Sequence, residues 1–203
     1  MIEALEQATG QSVSRETFDR LRTYVELLEA ENEHQNLVSA STVQQIWTRH
    51  IVDSAQLARF GAHLGASWVD VGSGAGLPGI VIACLVEGVV TLVEPRRLRA
   101  EFLQKMVLSL GLNATVRCAK IERMTGRFDV ITGRAVARLT KFIQMSHHLS
   151  TEKTRWVLPK GRGAHSELAE ARRAWQGVFH VEPSFTDADS RIIVGTGVRA
   201  KAR

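Results

Sequence analysis

The chain has 203 residues, 44% of them hydrophobic and 23% charged, a globular balance that excludes a disordered or fibrous protein. No run approaches the ~20 apolar residues of a membrane span. The opening MIEALEQATG lacks a basic-then-apolar leader, and two cysteines, Cys84 and Cys118, without CxxC or HExxH spacing, exclude a disulfide framework and a structural zinc. A reducing, cytoplasmic setting is therefore expected.

The net charge of +5 is unevenly spread. Residues 1–66 carry 5 Lys+Arg against 9 Asp+Glu, or −4, and residues 67–203 carry 21 against 12, or +9. Twenty of the 26 basic residues are Arg, the side chain suited to planar, bidentate phosphate contacts. An anionic partner is allowed by this balance but not required by it.

In chain order, Ser14 and Glu16 mark a helix start, and Phe18, Leu21, Val25 and Leu28 follow at helical spacing until Asn36-Leu37. Ser41-Thr42-Val43-Gln44 reads as a capping box opening a second helix with Val43, Ile46, Trp47, Ile51 and Leu57, ended by Gly61 and Gly65. His50, Asp53 and Ser54 share a side of that helix with those apolar residues. They read either as a polar cluster that fixes docking or as a lid over a ligand. From Ser67 the pattern changes. Short apolar runs at Trp68–Val71, Val89–Val93, Ala114–Cys118, Phe128–Thr132 and Arg155–Leu158 alternate with helical segments, the clearest carrying Leu98, Phe102, Met106 and Leu110 before Gly111. Such alternation predicts an α/β fold, a Rossmann-like, mostly parallel sheet with helices on both faces. Val178–Val181 and Ile192–Val194 add an antiparallel hairpin, for seven strands. The expected division is a helical cap over residues 1–66 and a core over 67–203. Cys84, in an apolar helix, and Cys118, in a strand, read as core residues.

The first strand runs into Asp70-Val71-Gly72-Ser73-Gly74-Ala75-Gly76-Leu77-Pro78-Gly79. A glycine-rich turn here lets backbone approach a ligand and presents helix N-terminal amides. Two registers compete. Gly74, Gly76 and Gly79 form GxGxxG, the dinucleotide fingerprint of a nicotinamide oxidoreductase. Asp70, Gly72, Gly74 and Gly76 form the [DE]xGxGxG loop of enzymes that use S-adenosylmethionine. Asp70 repels a pyrophosphate and suits a cationic amino group, and the chain is too short for a separate oxidoreductase substrate domain. Glu94, 20 residues after Gly74 at the end of the second strand, suits ribose hydroxyls with either ligand.

Ligands of open parallel sheets lie outside the carboxyl ends of the strands. Ile121 and Glu122, after strand three, are placed to meet an adenine ring and its amino group. Arg134 follows strand four and Lys160 strand five, with Arg138 and Arg162 nearby. Four cations at this mouth suit a phosphate-bearing substrate. The Asp/Asn-Pro-Pro-aromatic signature of amino-group methyltransferases is absent there. No clear base stands beside Arg134, which fits a nucleophile with a free lone pair, such as guanine N7. A non-catalytic RNA-binding module with a nucleoside pocket is the alternative.

Asn36-Leu37, Arg49-His50-Ile51-Val52-Asp53-Ser54, the loop from Asp70 to Gly79, Arg134-Ala135 and Lys160-Gly161 together resemble the RsmG (GidB) family of bacterial small-subunit ribosomal RNA methyltransferases. The resemblance spans roughly residues 20–195. It implies a class I methyltransferase fold and methyl transfer from S-adenosylmethionine to N7 of one guanine, position 527, of 16S ribosomal RNA, free or in the small-subunit particle. It places Gly72, Leu77, Ile121, Glu122 and Arg134 at the cofactor, Arg134 beside the reacting methyl, and Glu94 at the ribose. The family carries two basic residues four and five past the ribose acid. Here Leu98 and Arg99 stand there, with Arg96 and Arg97 shifted earlier, and these three arginines join Arg138, Lys160 and Arg162 as expected RNA contacts. No metal is expected, and a monomer is.

Overall fold

The computed structural model describes residues 1–202, and at Ala40 the main chain alone, so the last residue of the expected 67–203 core lies outside it. Alternate strand side chains enter two apolar layers. Trp68, Val90, Leu92, Val130, Val157 and Ile192 point one way; Val69, Val71, Val93, Ile131, Trp156, Leu158 and Ile193 point the other. This is the period-two geometry of a strand. Because both faces are covered, the central strands read as near-continuous apolar runs, interrupted by Asp70, Thr91 and Thr132.

The strands are β1 (Trp68–Val71), β2 (Val90–Val93), β3 (Ala114–Arg117), β4 (Val130–Thr132), β5 (Arg155–Lys160), β6 (Trp175–Pro183) and β7 (Arg191–Ala200), in the order β3-β2-β1-β4-β5-β7-β6. β1 pairs in parallel with β2 and β4, which makes its carboxyl end the switch point of the sheet. β7 is antiparallel to β5 and to β6. The expected seven-stranded, mostly parallel sheet and its terminal hairpin are thus present. The first five strands start and stop within two residues of their expected bounds. The hairpin strands are longer than expected, because Gly177, Gly195 and Gly197 and many polar positions on this half-exposed edge hide their strand pattern.

The helices are α1 (Ile2–Thr9), α2 (Arg15–Gln35), α3 (Ala40–Val43), α4 (Asp53–Ala55), α5 (Gly79–Leu85), α6 (Arg97–Ser109), α7 (Leu139–Ser146) and α8 (Ala164–Ala171). α7 and α8 cover one face. α5, α6 and the amino-terminal helices share one apolar layer on the other. Ser14 caps α2 by accepting the Thr17 N–H at 3.1 Å, and Asn36 ends it in the left-handed region. Leu21, Tyr24 and Leu28 of α2 are fully buried, worth about 1.5–3 kcal/mol for each large apolar side chain.

Four expectations need correction. α1 precedes the first expected helix, and its Leu5 and Ala8 are buried in the same layer. The second expected helix is not continuous. It starts at Ala40 behind Ser39, stops at Val43, resumes as a π-helical stretch over Trp47–Val52, and ends as a 3₁₀ turn over Gln56–Phe60. Leu98 is 65% exposed, because it sits in the first turn of α6 outside the stripe of Phe102, Met106 and Leu110. Cys118 is exposed just past β3, since β3 is an edge strand with alternate residues in solvent.

Candidate active site

β1 passes directly into the glycine loop. Gly72, Gly74 and Gly76 have φ of 69°, 56° and 98°, a region side-chain-bearing residues enter only at a cost. GxGxxG leaves Gly72 unexplained, whereas [DE]xGxGxG covers all three. Gly79 is required for space, since a Cβ there would lie 2.5 Å from Asp70 Oδ2. Behind the loop, the buried Tyr24 hydroxyl donates to the Ala75 carbonyl at 2.9 Å. Burial pushes that phenol well above its ordinary range, so it stays a donor. Sequence reading did not single out Tyr24, because an apolar helical stripe shows no sign of a polar contact 51 residues away.

The acids flanking the loop are deeper than their sequence positions suggest. Asp70 is fully buried; its Oδ2 accepts the Gly79 N–H at 3.1 Å and its Oδ1 has no partner among the described residues. Burial pushes this carboxyl up to about 7. Asp70 therefore braces the start of α5 from behind, and its carboxylate is not displayed on the loop's outer surface. Glu94 accepts from the Gly74 N–H and the Arg96 N–H, each at 2.9 Å, and so joins the loop to the end of β2. Leu77 and Ile121 are buried in the core, while Glu122 is exposed. The loop thus offers a strip of glycine backbone with an acid at its β2 end. That chemistry fits a ligand with a nucleoside and a charged tail, and a Cβ at Gly74 would stand on this strip in ordinary contact with Arg99 Nη1 and the Gly72 carbonyl.

Arg134 leaves the end of β4 beside Ala135, whose φ of 57° is unusual for a residue with a side chain and marks stored strain of the kind found at functional sites. Its guanidinium is clamped by the irregular segment of the amino-terminal helices. Nη1 donates to Asp53 Oδ2 at 3.2 Å and to the Arg49 carbonyl at 3.3 Å, and Nη2 lies 3.1 Å from His50 Nδ1. The π-helical form that carries Arg49 and His50 recurs at functional sites. So the structure brings His50, Asp53 and Arg134 together. Ser54, beside them in sequence, is buried and its hydroxyl has no partner among the described residues.

An Arg only donates, so His50 Nδ1 must accept. The ring is therefore neutral, with its Nε2–H directed to Thr42 Oγ1 at 2.9 Å. Burial, then the Arg134 charge, lower its pKa from 6.5 to about 4. A depressed folded pKa gives stability that is present above the unfolded value and lost as pH falls through the folded one. Wild type is thus expected to lose melting temperature relative to His50→Gln between pH 6.5 and 4. Asp70, shifted upward, contributes with the opposite sign, lost as pH rises through about 7, but it is common to both proteins and cancels in the difference. Thermal melts in steps of pH check this, and parallel curves would contradict it.

A cleft of about 440 Å³ opens at the ends of β4, β5 and β7, lined among others by Asp53, Gln56, Arg134, Lys160, Glu167 and Arg191. Val136 lines it too and lies against Gly72, so cleft and loop abut. Of the expected cations, Lys160 is not free. Its Nζ lies 2.9 Å from Glu167 Oε2 and donates to the Ala137 carbonyl at 2.9 Å, while Glu167 also accepts the Leu139 N–H at the start of α7. Arg138 pairs with Glu170 and Arg162 with Asp189, both on the surface, where such pairs are worth little and exchange easily. Arg96, Arg97 and Arg99 are not among the residues lining the cleft, and the Arg99 guanidinium reaches over Gly74 of the glycine loop. Arg97 pairs with Glu101; Arg96 and Arg99 have no ion pair among the described residues. Gln56, Glu167, Ser184 and Thr186 also serve this site. Nothing in their local sequence marks them.

The family described as GidB, rRNA small subunit methyltransferase G, matches residues 17–191. Ribosomal RNA small subunit methyltransferase G of Zymomonas mobilis is 45% identical over 206 residues, 97% of this chain and 92% of the relative. The protein of that name from Sphingopyxis alaskensis is 49% identical over 187 residues, 91% of this chain and 80% of the relative. Among solved structures, a mutant MtNAS in complex with S-adenosylmethionine superposes with a TM-score of 0.58 at 19% identity, covering 88% of this chain and 74% of that one, a likeness of fold.

Proposed function

The chain belongs to the rRNA small subunit methyltransferase G family, and from that premise we propose that its site transfers a methyl group from S-adenosylmethionine to N7 of a guanine, position 527, in 16S ribosomal RNA. The observation that carries this reading is the abutment of the glycine strip with a cleft whose wall is a fixed arginine. S-adenosylmethionine, when bound, supplies an electrophilic methyl on a sulfonium. Gly72, Gly74 and Gly76 would hold it by main chain, with Glu94 at the ribose and Ile121 and Glu122 at the adenine.

The protein's part is positioning, which can contribute about 7–11 kcal/mol to such a displacement. Arg134, held on two sides by Asp53 and His50, is a charge that need not reorganise when the base arrives. N7 carries its own lone pair, so no proton must be removed before attack. The cleft agrees with this. Its carboxylates, Asp53 and Glu167, are already engaged by Arg134 and Lys160, and His50 lends its lone pair to Arg134. Arg138 and Arg162, in exchangeable surface pairs at the mouth, can turn to phosphates. Arg96, Arg97 and Arg99 offer a second contact beyond the loop. Lys160 acts by fixing the β5 end to α7 and α8. In this reading residues 1–66 form a cap whose Asp53 and His50 reach the core, residues 67–203, at its reacting end.

Incubation of the protein with small-subunit particles and labelled S-adenosylmethionine, followed by nucleoside mass analysis, is expected to yield one N7-methylguanosine in 16S RNA. Label in any other nucleoside, or none, would refute the assignment.

A further inference from the structure

We propose that the loop between β6 and β7 sets the position of Arg134, with Thr186 and Gln56 as positioning residues. Asp53 has two carboxylate oxygens with separate duties. Oδ1 accepts from Thr186 Oγ1 at 2.8 Å and from Gln56 Nε2 at 2.9 Å; Oδ2 accepts from Arg134 at 3.2 Å. Gln56 is buried, and all its polar atoms are used. Its Oε1 accepts the Phe185 N–H at 2.7 Å, and the two N–H groups of its Nε2 are shared among Asp53 Oδ1, the Asp53 carbonyl and Ser184 Oγ. Two donors on Oδ1 fix the plane of the carboxylate, and that plane aims Oδ2 at the guanidinium. Without Thr186, Oδ1 keeps only Gln56 Nε2, which also serves the Asp53 carbonyl and Ser184 Oγ, so the carboxylate is freer to turn about χ2, a soft torsion, and to shift Arg134 with it.

The arrangement is more than a staple for the hairpin. Ser184 and the Phe185 main chain already tie the loop to Gln56, so Thr186 is not needed for docking. Its hydroxyl ends on the carboxylate that, with His50 and the Arg49 carbonyl, holds Arg134. The loop also leads into β7, where Arg191 pairs in register with Lys160 of β5 and both line the cleft. A substrate pressing on this rim therefore meets the same turn that steadies the arginine.

This inference rests on the methyl-transfer reading for its rate prediction, and on geometry alone for its spectral one. Thr186→Val removes the hydroxyl at nearly constant shape; Thr186→Ser restores it. In Thr186→Val the side-chain ¹⁵N resonance of Arg134, identified by its loss in Arg134→Ala, is expected to shift and broaden. The kcat on small-subunit particles is expected to fall about tenfold, the scale of a sub-ångström misplacement, with KM for the particle unchanged. Thr186→Ser should recover both. An unchanged Arg134 resonance, or a kcat loss that Thr186→Ser does not recover, would overturn the inference. A wild-type protein that transfers no methyl group would count against the methyl-transfer reading, while the spectrum still decides the clamp.

Discussion

Replacing Arg134 by alanine is expected to lower turnover on small-subunit particles by about 10²–10³-fold, the range for losing one preorganised donor at a reacting centre. Stability should change far less. The Arg134–Asp53 pair is about one-fifth exposed on each side, and breaking a partly solvated pair costs on the order of 1 kcal/mol. For a chain of this size that is roughly 2–4 °C in melting temperature. The asymmetry follows from where the energy is spent. Ala135 holds a strained left-handed turn, and Asp53, His50 and the Arg49 carbonyl together immobilise one side chain. Such an arrangement prepares a charge in advance and contributes little to the fold. Single-turnover kinetics beside thermal melts would check it. A large fall in melting temperature with full turnover by the folded fraction would show that Arg134 is a structural residue.

Two glycines of the loop are expected to separate binding from folding. Gly74→Val should abolish binding of S-adenosylmethionine, read as no measurable heat in calorimetry, in a protein that still folds. A Cβ at Gly74 meets nothing closer than Arg99 Nη1 at 3.7 Å, so the new side chain is accommodated without a clash and covers the strip that the cofactor would occupy. The left-handed φ of 56° adds a cost of about 1–2 kcal/mol. Gly79→Ala should do the reverse. Its Cβ would fall 2.5 Å from Asp70 Oδ2 and closer still to Leu92 Cδ2, both in the packed interior. Relief requires α5 to move off β1 and β2, a loss of about 3 kcal/mol or more, or roughly 10 °C. Retained binding in Gly74→Val would show that the loop does not cradle the ligand. An unaltered melting temperature in Gly79→Ala would show that α5 packs more loosely than these distances say.

The sheet and its ligand loop were legible in the sequence for a local reason. A strand buried on both faces must be mostly apolar, and a turn with repeated left-handed residues favours repeated glycine. Trp68–Val71 therefore reads as a strand with its bounds intact, and Gly72, Gly74 and Gly76 as a ligand loop, with Glu94 one strand on. The broken second helix was not legible, because the apolar spacing of Ile46, Trp47, Ile51 and Leu57 tolerates a π-helical turn without showing it.

By itself, then, the sequence determined the fold class, the loop and the family, since each is carried by short motifs that can be read without knowing which of them meet in space. Only the tertiary structure decided which charges are free and which are held. Asp53 reaches Arg134 across 81 residues and Thr186 across 133. Lys160 stands where a cation is expected, yet Glu167 neutralises it. Asp70 is placed as a ligand acid, yet it is sealed behind the loop. A residue type states the sign of a charge. Its partner, its burial and therefore its work are settled by what the topology brings within about 3 Å of it.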